Sequence, residues 1–303
     1  MVIDRPVQLV RRYPELVVVV IAAGLGLLVQ SPLAWLASRQ GINMLLGILV
    51  FATAVTIEPA ALRRAVSSWR TLLVTLLVGA TALPALSWGA SRMVAAGSLR
   101  DGVMSIGLAP CEIASVATTA LAKGEPALSA GVLMGSTLVT IVIAGPVLAL
   151  ESSGGSVHPA HILVNLTLVV ALPLMAGLTL RSFVELRQPA ERLALGTATV
   201  AVAGLVALIA AEIHFSAHYV ALTGALLAFV ALSALLGWLI GWRSAKPIAT
   251  AVLLTTSMRD FAIAAGIAAA AFGAAAAAPL GLYGILVIVW GTAAAGRLRH
   301  AAA

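Results

Sequence analysis

The chain has 303 residues, of which 61% are hydrophobic and only 10% are charged, and its mean hydropathy is +1.09. A soluble domain carries about 25% charged residues, so the composition excludes a soluble enzyme or binding module and predicts a protein that crosses a membrane several times. The formal net charge of +7 does not indicate nucleic-acid binding, because no basic run is interleaved with aromatic residues. The single cysteine excludes an internal disulfide, and without CxxC or HExxH patterns we expect no metal centre.

Apolar stretches of transmembrane length follow one another along the whole chain. A helix needs about 20 apolar residues to cross a bilayer, and the sequence predicts ten such spans, with no room between them for a soluble domain. They cover residues 14–31, 41–57, 70–92, 102–121, 127–150, 160–180, 193–212, 219–241, 247–272 and 279–296. The second is short, and its sequence is compatible with an extension back toward Trp35. The first is interpreted as a retained helix, because no clear small-residue cleavage site separates it from the second. The predicted fold class is therefore an all-α polytopic membrane protein with ten transmembrane helices.

The distribution of basic residues predicts the orientation of these spans. If the N-terminus is cytoplasmic, fourteen of the eighteen Lys and Arg residues fall in cytoplasmic segments and three fall outside, while Arg259 lies inside a span. Basic residues collect in the cytoplasmic loops of membrane proteins. We therefore expect a cell-membrane protein with both termini in the cytoplasm.

Ten spans divide into two halves of five, residues 1–150 and residues 151–303. An odd number of spans in each half forces the second half to insert upside down relative to the first. This is the inverted-repeat arrangement of secondary transporters. The inference is geometric, because the two halves share no convincing sequence identity.

The fourth and ninth spans, which are equivalent in such a repeat, carry the polar interruptions. Pro110 breaks the fourth span and Glu112 follows it, whereas Arg259 and Asp260 lie in the middle of the ninth. A charge at that depth costs about 2.5–3.5 kcal/mol on insertion scales. Two interpretations are open, a structural ion pair between two helices or the lining of a solute path. A broken helix also exposes N–H groups that suit an anion.

Three stretches resemble the bile acid/sodium symporter family. They are "GLAPCEIASVATTALAKGEPALSAG" (107–131), "FATAVTIEPAALRRAV" (51–66) and "TTSMRDFAIAAG" (255–266). The resemblance implies a core domain of spans 3–5 and 8–10, in which spans 4 and 9 cross, and a panel domain of spans 1–2 and 6–7. It also implies transport of a small organic anion by alternating access in a prokaryotic inner or plasma membrane, with sodium bound behind the crossing.

The resemblance implies specific site residues. Those expected to bind the substrate are Pro110, Cys111, Glu112, Ile113, Ser115, Arg259, Asp260 and Phe261. Those at the positions of the family's sodium ligands are Ser115, Ser129, Thr255, Thr256 and Met258.

Several positions depart from the family pattern where sodium would bind. The family has asparagine at Val116, threonine at Leu133, glutamate at Thr255, and glutamine at Arg259 and near Gly79, and Asp260 replaces an asparagine. The usual sodium sites are therefore expected to be lost, with Arg259 as a tethered cation that pairs with Glu112. A carboxyl group that lacks a cation could carry a proton instead, because burial disfavours its charged form. No other cofactor is expected.

Other readings stay open at this point. One is a sodium-coupled symporter with altered ligands, and another is a membrane sensor or structural protein that does not transport. Cys111 also resembles a cysteine of the arsenite permeases, a sister family of the same fold, although a lone membrane cysteine is usually an apolar filler. An enzyme is not expected, because no span pairs a nucleophile with a base.

Overall fold

A computed structural model describes residues 14–95, 97–151, 158–184, 188–213 and 217–301. These residues form helices joined by short connections, and no strand occurs among them. The main helices are α1 (Pro14–Leu28), α2 (Gln30–Thr56), α3 (Trp69–Ser91), α4 (Ser98–Leu108), α5 (Ala114–Leu121), α6 (Pro126–Glu151), α7 (Pro159–Phe183), α8 (Gln188–Ala211), α9 (His218–Gly241), α10 (Lys246–Ser257), α11 (Phe261–Phe272) and α12 (Ala278–Ala301). Short helices at Pro59–Ala65 and Ala274–Ala277 precede α3 and α12.

The all-helical, multi-pass membrane fold predicted from composition is confirmed. Seven helical stretches of the described chain are long and apolar enough to cross a membrane: Gln30–Thr56, Leu62–Ser91, Pro126–Leu150, Pro159–Phe183, Gln188–Ala211, His218–Gly241 and Ala274–Arg299. The total of ten spans stays a prediction. Within the described residues, which begin at Pro14, the first span is helical over Pro14–Leu28, and the fourth and ninth are each divided into two shorter helices.

The second span is longer than its sequence prediction of 41–57. It begins at Gln30 and is kinked within Ala37–Gly41, where Arg39 (φ −98°, ψ 36°) and Gln40 (φ 69°, ψ 13°) leave the helical conformation. A π-helical turn, Thr167–Ala171, interrupts α7. Such turns occur frequently at functional sites.

The helices pack through buried faces and leave an apolar outer surface. Helix α8 packs against α1 and α2, α7 packs against α2, and α3 packs against α4, α6 and α9. Large side chains such as Phe229 and Tyr283 are fully buried, while Leu227 and Trp238 are exposed, as expected where a surface faces lipid. The division into panel and core domains and the inverted repeat both stay predictions.

Arginine–tryptophan pairs mark the two ends of this bundle. Arg70 lies over Trp69 at the start of α3, and Arg92 lies over Trp88 at its end, with 5.5 and 5.0 Å between guanidinium carbon and ring centroid. Aromatic and basic side chains concentrate at the two membrane–water interfaces. The 23 residues of α3 therefore reach from one interface to the other.

We expect a cysteine at His158 to react with a membrane-impermeant maleimide from outside intact cells, and one at Ala245 to react only after the membrane is opened. The reason is the basic-residue distribution, which places these connections on opposite sides. The native Cys111 is fully buried, so the unmodified chain serves as the labelling control. Labelling of both positions from the same side would contradict the ten-span map.

Candidate functional site

The fourth and ninth spans are broken at the positions that the sequence predicts. Pro110 has no N–H group and disfavours the helical conformation of the residue before it, and Ala109 is extended with ψ 152°. In the ninth span, Met258 is extended with φ −101° and ψ 104°. Helix α11 then restarts after Asp260, whose Oδ1 accepts a hydrogen bond of 2.8 Å from the Ile263 N–H.

The two breaks are hydrogen-bonded to each other through the main chain. The Glu112 N–H donates to the Met258 carbonyl at 2.8 Å, and the Asp260 N–H donates to the Pro110 carbonyl at 2.9 Å. Cys111 and Arg259 face each other between these bonds as an antiparallel bridge. Backbone groups at membrane depth must be satisfied within the protein, and each break supplies partners for the other. We call Pro110–Glu112 together with residues 258–260 the crossing.

Side chains from two neighbouring helices complete the hydrogen bonding of the crossing. Ser136 Oγ on α6 accepts from the Cys111 N–H at 3.1 Å, and Thr140 Oγ1, one turn further along, donates to the Leu108 carbonyl at 2.8 Å. On α12, the Tyr283 hydroxyl accepts from the Arg259 N–H at 3.1 Å. The sequence interpretation missed these three residues. The sequence features that could have indicated them are two hydroxyl residues one helical turn apart in the fifth span and a single tyrosine in the tenth.

The Arg259 side chain is only 3% exposed and points behind the crossing toward α3. Its Nη2 donates to the carbonyl of Ala109, and its Nη1 lies 3.9 Å from the position that a Cβ on Gly79 would have. The break at Pro110 leaves the Ala109 carbonyl without a helical partner, and the guanidinium takes that place. The family has a glutamine near the position of Gly79. Because glycine has no side chain, the space that the glutamine would fill is open to Arg259.

The expected ion pair between Arg259 and Glu112 is wrong. Among the described residues, no nitrogen of Arg259 lies within 4.0 Å of a carboxylate oxygen of Glu112 or Asp260. The reason is directional, because the guanidinium extends to the Ala109 carbonyl while the Glu112 carboxylate extends toward α11.

Two carboxylates lie at the amino end of α11, the second helix that restarts at the crossing. Glu112 Oε2 accepts from the Phe261 N–H at 3.4 Å. Asp260 caps α11 through Oδ1, while its buried Oδ2 has no hydrogen-bond partner. Glu112 is 8% exposed and Asp260 only 1%. Free N–H groups at helix starts favour negative charge.

The residues at the family's sodium-ligand positions mostly use their oxygens within the protein. Ser129 Oγ donates to Thr119 Oγ1 at 2.9 Å, Thr255 Oγ1 donates to the Ala251 carbonyl at 2.8 Å, and the Met258 carbonyl accepts from Glu112. Ser115 Oγ lies 3.8 Å from the Cys111 sulfur, which is itself fully buried. Only Thr256, through a buried Oγ1 without a partner, leaves a side-chain oxygen of this set free.

A polar cavity of about 220 Å³ lies at the far end of α11, beside Ala269 and Gly273. Asn43 on α2 donates to Asn165 Oδ1 on α7 at 3.1 Å, and both side chains line this cavity. Asn43 Oδ1 and Asn165 Nδ2 are buried without partners. Both atoms are closed off from solvent beside the cavity, between α2, α7 and α11.

Comparison with known proteins was consistent with the resemblance. The model of the Sodium Bile acid symporter family matches residues 43–223, which is more than half of the chain and includes the first break. The chain is also 26% identical, over 276 residues, to "Uncharacterized sodium-dependent transporter YocS" of Bacillus subtilis (strain 168). That alignment covers 88% of this chain and 85% of the relative.

Proposed function

Because this chain belongs to the Sodium Bile acid symporter family, we propose that it is a secondary transporter of a small organic anion that binds at the crossing. The observation that carries this proposal is the meeting of two interrupted helices at a buried polar centre, with the starts of α5 and α11 on either side. Transporters place anionic groups at the amino ends of such half-helices. Pro110, Ile113 and Phe261 would form the apolar walls, beside Cys111 and Ser115.

The same proposal assigns Arg259 the role of a tethered cation in place of sodium. Its guanidinium lies behind the crossing against Ala109 and Gly79, in the region where the family resemblance puts the ion. A fixed positive charge opposes sodium binding by Coulomb repulsion, most strongly where the dielectric is low. Thr255, in place of the family glutamate, is bonded to Ala251 and supplies no counter-charge.

Alternating access would then move the crossing relative to α2 and α7. The amide-lined cavity supports this picture, because it separates Asn43 and Asn165 on those helices from the end of α11. Helix α11 runs from the crossing at Phe261 to the cavity at Ala269. It thus links the proposed anion site to a polar space of about the size that water or a small solute needs.

Uptake by proteoliposomes tests this function. We expect accumulation of at least one radiolabelled carboxylate or sulfonate from a broad panel, with no change when sodium is replaced by potassium or choline at constant ionic strength. Empty liposomes control for passive entry of the neutral acids. A steep, saturable dependence on sodium would contradict the tethered-cation role, and no uptake of any anion would favour a sensor or structural protein.

A second candidate is sodium-coupled symport with altered ligands, in accordance with the sodium dependence in the name of the Bacillus subtilis relative. One observation favours it: Thr256 Oγ1 and Asp260 Oδ2 are both buried without partners. Two orphaned oxygens near the second break could contribute to a cation site. The sodium replacement above separates this candidate from the first.

A further inference from the structure

The crossing holds more negative than positive charge. Arg259 is its one cationic side chain among the described residues, whereas Glu112 and Asp260 are both carboxylates, and all three are more than nine-tenths buried. The other ionisable groups that face them are Cys111 of the crossing itself and Tyr283 of α12, which are ordinarily neutral at pH 7. With both carboxylates ionised, the site carries a charge of −1, and a solute anion that arrived without a proton would bring it to −2, which is strongly unfavourable at membrane depth.

Glu112 is the carboxylate better placed to exchange a proton. Asp260 follows Arg259 directly in the chain. Its Oδ1 accepts a hydrogen bond of 2.8 Å from the Ile263 N–H. Glu112 makes a longer contact of 3.4 Å with the Phe261 N–H and is the most exposed of the three charged residues. A weakly held and partly accessible carboxylate gives up its contacts at a lower cost than a short, fully buried cap.

The position of Glu112 also puts it in competition with any anion. Its carboxylate accepts from the Phe261 N–H at the start of α11, and Glu112 stands two residues before Ala114, where α5 begins. The starts of these two helices are what the proposed function offers to the solute. Two negative groups cannot share one small buried site, because each disfavours the charged form of the other.

We propose that the Glu112 carboxylate is a tethered anion that occupies the solute's binding position in the empty transporter. When a solute anion displaces this carboxylate, Glu112 takes up one proton. This inference rests on the proposed function, since the solute is the anion assigned there. The proton comes from the solution on the open side, binds a Glu112 carboxylate oxygen, and leaves on the other side when the solute dissociates. Anion and proton cross together, and the charge of the occupied crossing is the same as that of the empty one.

Calorimetry on the purified protein tests this proton uptake. A panel of linear monocarboxylates and their sulfonate analogues is screened by the shift of the melting midpoint, and the best binder is titrated in two buffers of different ionisation enthalpy. We expect the wild type to take up about one proton per anion and Glu112→Gln to take up almost none. The exposed control Glu58→Gln is expected to retain the uptake.

A measurement without any ligand keeps the failure of the two proposals distinguishable. In the empty protein Glu112 is protonated at low pH and ionises as the pH rises. Because burial disfavours the charged form only in the folded protein, the melting midpoint of the wild type should fall over that pH range. The midpoint of Glu112→Gln should change less. The calorimetric titration is made above this range, where Glu112 of the empty protein is ionised. If the contrast holds but no anion binds, the proposed function is wrong, while Glu112 is still the group that exchanges a proton.

Three results would overturn the inference. They are no proton uptake by the wild type on anion binding, unchanged uptake in Glu112→Gln, and uptake of sodium in place of the proton. The same pH dependence of melting in the wild type and in Glu112→Gln would also overturn it, whether or not an anion binds.

Discussion

Arg259→Ala is expected to lower the free energy of unfolding by about 2–5 kcal/mol, the range for truncating a large buried side chain to alanine, and to abolish anion binding. The substitution leaves Glu112 and Asp260 with no cation and removes the donor that satisfies the Ala109 carbonyl. It also opens a void against Gly79. Unfolding in detergent and calorimetric titration with the anion identified by the screen measure the two effects.

Arg259→Lys separates the charge of this residue from its shape. Lysine keeps the positive charge but lacks the planar group that reaches the Ala109 carbonyl, so part of the stability should return while binding stays weak. The matched control is Arg243→Ala on the exposed end of α9, which should change the unfolding free energy by less than about 0.5 kcal/mol. Normal folding and anion binding in Arg259→Ala would contradict the role of Arg259 as a tethered cation.

Recovery of both folding and anion binding in the double variant Arg259→Gln, Glu112→Gln would point to a purely structural role for Arg259.

Gly107→Ala is the second substitution with a large expected effect, a loss of about 1–3 kcal/mol from overpacking. A Cβ at this position would lie 2.3 Å from the Leu83 carbonyl oxygen and 2.3 Å from Ser87 Oγ on α3. Backbone atoms cannot move aside like the end of a flexible side chain, so α3 and α4 must separate. Ser87 Oγ also donates to the Met104 carbonyl on α4, and this bond would lengthen. The melting midpoint in detergent measures the loss.

Gly89→Ala on the neighbouring helix α3 is the control for this glycine effect. No atom lies within 4 Å of the Cβ that it would add, and alanine is favoured over glycine inside a helix by up to about 1 kcal/mol. The two glycine substitutions should therefore change the melting midpoint in opposite directions. A stabilising Gly107→Ala would show that α3 and α4 are farther apart than the structure has them.

The sequence predicted those parts of the fold that depend on composition, which are the helical class and the positions of the apolar spans. Span positions followed from apolar length, and the breaks at Pro110 and Arg259 followed from a missing N–H group and buried charge. The start of α2 at Gln30 lies beyond the predicted extension toward Trp35, because the segment around Arg39 and Gln40 is polar and the chain is kinked there. Polar residues in an otherwise apolar chain indicate a boundary, although tertiary packing can override that signal.

The site was predictable as a set of residues but not as a set of contacts. Glu112, Arg259 and Asp260 do meet at the crossing, as their shared depth suggested. The partner of Arg259 turned out to be a backbone carbonyl, and one-dimensional spacing carries no information on where such a carbonyl lies. Tyr283 was invisible for a similar reason, since its role depends on which face α12 presents to a break 24 residues away.

The main-chain bonds that join the two breaks have an evolutionary consequence. Glu112 N–H to Met258 carbonyl and Asp260 N–H to Pro110 carbonyl depend on no side chain, so the scaffold persists whichever residues occupy these positions. Point substitutions can then replace a bound metal ion by a guanidinium, or a free solute anion by a carboxylate, without dismantling the helices that carry them. In a protein built this way, the energy source of transport is a property that a lineage can exchange while its architecture stays fixed.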